Sequence, residues 1–141
     1  MFNRSYWLVK GLVIVAELSG TLELADLDAA LDEIAHELSA YSKTDRVYLI
    51  LDMSGRTDID NRLTGVSALV HWAKRMRALP AQPPYVIVDA QPHPVLKHAA
   101  RLIENMELMK LSLELSIEDA MNYWSETDPR LSEITLSPSG D

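Results

Sequence analysis

Between Asp52 and His71 the chain concentrates residue types that cap helices, hold cations or meet a partner's polar groups. Asp52, Ser54, Asp58, Asp60, Asn61, Arg62, Thr64, Gly65, Ser67 and His71 all fall in this stretch. Two roles are open for it. The carboxylates and hydroxyls can satisfy backbone amides at turns and at a helix start. Alternatively they form a binding surface, because loops at strand C-termini are where such sheets take ligands. A metal held by Asp52, Asp58 and Asp60 is allowed by charge, but neither EF-hand spacing nor a His-rich shell accompanies them, so no metal is expected. The histidines at 36, 71, 93 and 98 sit on separate segments. His-Glu-x-x-His and Gly-x-Ser-x-Gly patterns are absent, and the five glycines form no phosphate-cradling loop. The chain is therefore expected to be no enzyme and to need no cofactor.

The elements that must position these residues follow from hydrophobic periodicity. Val47 to Leu51 is a continuous apolar run suited to a strand buried on both faces, ended by Asp52 and a turn at Ser54-Gly55. Asp60 or Asn61 would cap the next helix, which carries Val66, Leu69, Val70, Ala73 and Met76 on one face and stops near Leu79-Pro80. Upstream, Tyr6–Val9 and Leu12–Leu18 flank Lys10-Gly11 as a hairpin, with Ser19-Gly20-Thr21 ending the second strand. Leu24, Leu27, Leu31, Ile34 and Leu38 mark an amphipathic helix. Downstream, Ala81–Pro84 forms a short rigid connection to a strand at Tyr85–Val88, and Gln91–Pro94 turns the chain. Val95, Leu96, Ala99, Leu102, Ile103 and Met106 give a helix, Lys110–Leu115 alternates as an edge strand, and Ser116 opens a last helix with Ile117, Ala120, Met121 and Trp124 inward.

The predicted fold is α/β: a mixed four- to five-stranded sheet with an N-terminal hairpin, parallel thereafter, and about four helices. Residues 1–125 are expected to form a single domain and 126–141 a flexible polar tail. The central strands are apolar in both phases, so a helix, a ligand or another subunit must cover the second sheet face.

With 141 residues and a net charge of −8, the chain suits one acidic domain rather than a binder of nucleic acid or anionic membranes. Lys74, Arg75 and Arg77 are read as a solvated helix face. There is no cysteine, the longest apolar run is too short to span a bilayer, and the N-terminus lacks a signal-peptide pattern. A cytoplasmic protein is expected. Trp7, Trp72 and Trp124 read as packing residues, with Trp7 also a candidate for an interface.

Leu51–Asn61 resembles the signature loop of STAS domains, the family of anti-sigma-factor antagonists, in its sporulation-antagonist-like branch. Asp52, Ser54, Gly55, Thr57, Ile59, Asp60 and Gly65 match the family pattern, Val15–Gly20 resembles its second strand, and Leu115–Ala120 the start of its last helix. The resemblance implies a regulatory protein-interaction module with a kinase-like or anti-sigma partner. Where the family carries a phosphorylatable serine this chain has Asn61, and Arg62 and Leu63 follow. Switching by phosphate at that position is therefore not expected. The module would use Asn61–Gly65 with Ser67, His71, Lys74 and Arg75. Two further readings are a carrier of a small apolar ligand or lipid, and a homodimer closed through a greasy sheet face or edge strand.

Overall fold

Lys10 and Gly11 reverse the chain between β1 (Phe2–Val9) and β2 (Val13–Leu22), with Gly11 at φ 75°, a left-handed conformation that favours glycine. Leu12 N–H donates to Val9 C=O at 2.9 Å to close the turn. In the computed structural model, which describes residues 1–42, 45–80, 85–91, 93–106, 111–126 and 128–132, the hairpin pairs antiparallel. Every later neighbour is parallel: β2 with β3 (Tyr48–Ile59), β3 with β4 (Tyr85–Val88), and β4 with β5 (Leu111–Glu114). The sheet order is simply β1-β2-β3-β4-β5. It is the mixed α/β sheet expected from strands that alternate with helices after a hairpin.

Helices α1 (Leu24–Glu37), α2 (Val66–Arg77) and α3 (Pro94–Asn105) cross over on one face. Their inward stripes meet Ile14, Ala16, Leu18, Leu49, Leu51, Met53 and Ile87, so alternate residues of the strands supply this core. The other phase, Val13, Val15, Tyr48, Ile50, Val86 and Val88, faces α4 (Ile117–Ser125) and α5 (Pro129–Ser132). The second apolar face is thus covered by the chain's own helices. Trp124 lies 4.4 Å from Tyr48 between ring centroids, and Ser116 caps α4 by accepting from Asp119 N–H at 3.0 Å.

Three expectations need correction. First, Ser54-Gly55 is not a turn: β3 runs 12 residues, and its far half pairs with Ser19–Leu22, where β2 was expected to have ended. Register shifts at Glu17/Ser19 and Gly20/Thr21 twist the pair away from β4 as a two-stranded ribbon. Gly55 serves close strand approach: a Cβ there would meet Ser19 Cβ at 3.2 Å and Leu18 C=O at 3.4 Å. Gly20, at φ 68°, takes the left-handed conformation the neighbouring shift requires. Second, Trp72 rather than Val66 completes the buried face of α2; Val66 is 60% exposed. A short 3-10 helix (Asn61–Thr64) inserted before α2 rotates its first turn outward.

Third, the chain stays docked past residue 125. Leu131 is buried on the second core, and Tyr48 Oη donates to Asp128 at 2.7 Å, which holds a segment expected to be loose. Trp7, read as a packing residue, is half-buried against α1. It donates Nε1–H to Glu37 at 3.2 Å and packs beside Tyr41, so it is a packing residue. The connection at 81–84, Pro92, residue 110 of the edge strand and the tail beyond 132 lie outside the described residues.

Candidate functional site

The ribbon carries the acidic stretch beyond the sheet and delivers it to the start of α2. Asp60 is the residue at which strand becomes helix. Its backbone N–H donates to Leu22 C=O at 2.8 Å, and its carboxylate caps the 3-10 helix by accepting from Arg62 N–H at 2.9 Å. The Arg62 guanidinium grips the same carboxylate at 2.6–3.1 Å and holds it below the usual aspartate range. Gly65 then occupies the N-cap of α2 and offers no side chain to its first amides. The expected cap is therefore divided: Asp60 serves the 3-10 helix, and among the described residues no side chain caps α2.

Each remaining aspartate of the stretch is already engaged. Asp58 accepts from Ile59 N–H at 2.8 Å, and Asp52 from Ser54 N–H at 3.1 Å. Among the described residues no cluster could hold a metal ion. The pleat separates them as well. Leu51 and Met53 point to the core under α1–α3, so Asp52 between them lies on the α4 side, where it adds to burial and Glu17 in raising the Tyr6 phenol. Asp52 and Ser54 thus do not converge with Ser67 and His71. His71 Nε2 lies 3.0 Å from Asp28, and Arg75 is bonded to Asp32, so this side of α2 is tied to α1. What remains presented to solvent is Ser54, Gly55, Thr57, Asp58, Arg62, Gly65, Val66, Ser67 and Lys74.

Four contributors were missed by sequence reasoning. Arg56 reaches from the ribbon to Asp89, the residue after β4, with Nε–Oδ2 at 2.8 Å and a second contact at 2.7 Å; Asp89 is buried and Arg56 largely so. Arg56 also donates to the Gln91 carbonyl. His93 caps α3, accepting from Val95 N–H at 3.0 Å through Nδ1, which leaves Nε2 facing Asp58 at 3.9 Å. These contacts fasten the ribbon to the β4–α3 connection. The available signal was a symmetry: Asp52 and Asp89 each follow directly on a buried apolar run, Tyr48–Leu51 and Val86–Val88.

No protein-family profile matches the sequence, and no curated protein matches it. Among solved structures the chain is similar to the anti-sigma factor antagonist SpoIIAA in its unphosphorylated form. The TM-score is 0.52 at 13% identity, over 89% of this chain and 98% of that one. Likeness at that identity is likeness of fold. The chain therefore has the STAS-like α/β fold that its signature loop implied. No helix among the described residues is long and apolar enough to cross a membrane.

Proposed function

We propose that this chain is a non-enzymatic regulatory interaction module, and that a protein partner of the kinase-like or anti-sigma type recognises the end of the β2–β3 ribbon and the start of α2. The observation that carries this reading is the presentation of that junction. Thr57, Asp58, Arg62, Val66 and Ser67 are all exposed on a fold shared with an anti-sigma factor antagonist. An apolar Val66 among polar groups, beside a helix start whose N-cap Gly65 has no side chain, gives the mixed surface typical of a protein interface. Asn61 heads the 3-10 helix in place of a hydroxyl residue, so the module works without a phosphate switch at that position.

The carrier reading loses its motive, because α4 and α5 cover the second sheet face and the apolar crevice under α2 measures only about 20 Å³. The same covering removes the greasy-face dimer. The test is a pull-down of kinase-type regulators with wild type and Asn61→Asp. The added charge is expected to weaken capture at least tenfold; equal capture refutes the assignment of the surface.

A further inference from the structure

The sheet ends at β5, whose outer edge has no neighbouring strand among the described residues. One contact fixes which way its backbone faces. Asp89 N–H donates to Glu114 C=O at 3.0 Å, so Glu114 turns its amide and carbonyl toward β4. In a parallel ladder that orientation alternates from residue to residue. Ser112, in register with Val86, therefore also faces β4, while Leu111 and Leu113 direct N–H and C=O outward. The side chains alternate between the faces of the sheet: Leu111 and Leu113 pack on the core under α1–α3, which leaves Ser112 and Glu114 on the α4 face.

This edge carries charge of one sign. From Leu111 to Glu126 the chain has Glu114, Glu118, Asp119 and Glu126 and no lysine or arginine. Among the described residues none of these carboxylates forms an ion pair. Burial first, and then the nearby Asp119 carboxylate, push the Glu114 carboxyl up from its ordinary value. The opposite edge of the sheet differs. On β1, Arg4 is paired with Glu17 at 2.9 Å, and Ser5 and Trp7 donate to Glu33 and Glu37, so its polar side chains are answered within the chain. An open ladder beside unanswered carboxylates suits an incoming strand that brings cations. A second copy of this chain would bring the same carboxylates and no cation, so charge opposes self-pairing here.

We propose that the outer edge of β5 is a docking strand for an extended segment of a partner in which lysine or arginine alternates with apolar residues. The segment's backbone pairs with the outward groups of Leu111 and Leu113, as in β-strand addition. Its basic side chains lie on the α4 face and meet Glu114 and Asp119. Its apolar side chains lie on the other face and extend the row begun by Leu111 and Leu113. This surface is separate from the junction at Asn61–Gly65 and stands or falls without it.

The test is a titration of the whole isotope-labelled chain with acetyl-Val-Arg-Val-Arg-Val-amide. The amide signals of Leu111 and Leu113 are expected to move and to exchange more slowly, with residues 54–68 unchanged. The glutamate counterpart, acetyl-Val-Glu-Val-Glu-Val-amide, is expected to leave them unmoved. Glu114→Gln combined with Asp119→Asn is expected to weaken binding of the arginine peptide about fivefold, the worth of two partly exposed ion pairs. Leu113→Pro removes an outward donor without touching the β4–β5 ladder and is expected to abolish binding, whereas Leu113→Ala keeps the donor and the response. Should the proline variant not fold, the arginine peptide methylated on its valine nitrogens replaces it and is expected not to bind. Unmoved Leu111 and Leu113 signals, or undiminished binding of the methylated peptide, overturn the strand pairing. An equal response to the glutamate peptide overturns the selection by charge, and a response centred on residues 54–68 overturns the location.

Discussion

Removing Arg56 is the sharpest way to ask whether the ribbon is held by a specific contact or merely by strand pairing. The Arg56–Asp89 contact is 2.7 Å long, with side chains 10% and 4% exposed. Breaking a pair buried to that degree leaves one ionised group desolvated without its counter-charge, at a cost of roughly 3–5 kcal/mol. Asp89 would keep one bond, the 3.1 Å contact from Gln91 N–H, so Arg56→Met should fall near 3 kcal/mol. Asp89→Leu should cost about as much, since Arg56 retains only the Gln91 carbonyl. The double variant removes both charges and replaces them with apolar groups. It should be no worse than either single change, a coupling of about 3 kcal/mol. Urea denaturation of the four proteins measures this directly if the slopes agree. Single variants that each lose less than about 1 kcal/mol, or additive losses, would show that water reaches the pair and refute the reasoning.

Tyr48→Phe should destabilise by about 1.5–3 kcal/mol, because the buried hydroxyl donates to the ionised Asp128 carboxylate, and urea titration checks it. Arg130 first and Tyr48 second hold that carboxyl well below its ordinary value. A depressed carboxyl stabilises the fold above the unfolded pKa of about 4 and loses that contribution as pH falls below it. Wild type should therefore lose stability on acidification from pH 5 to pH 2 more steeply than Asp128→Asn, as read by thermal midpoints at each pH. Gly20→Ala should cost about 1–2 kcal/mol through its left-handed backbone alone, since nothing lies within 4 Å of the added methyl. Gly55→Ala should also destabilise, by a different route, because Ser19 must move aside; melting of both variants compares the routes.

The sheet was legible because its evidence is local. Hairpin, apolar strands and amphipathic helices each leave a periodic trace, and strand–helix alternation leaves little choice of topology. The ribbon was not legible, because Ser54-Gly55 has the composition of a turn and only the close approach of Ser19 shows why glycine is there. The same holds for α5: prolines and acids after Glu126 carry no periodicity, and the docking of Asp128 depends on Tyr48, eighty positions away. Of the site, the exposed residues of the junction were readable from the motif. Which aspartates share a face was not, since two extra residues in β3 shift its register against β2. Arg56 and Asp89 stayed hidden because ion pairs between distant segments leave no sequence period.

Val66 at the junction, and Leu115 and Tyr123 before and on α4, are large apolar residues open to solvent. They mark two rival surfaces. Hydrogen–deuterium exchange of the chain alone and in complex with a kinase-type regulator separates them most directly. The account predicts new protection concentrated at residues 54–68. Protection at residues 111–125, with the junction exchanging as freely as before, would contradict it.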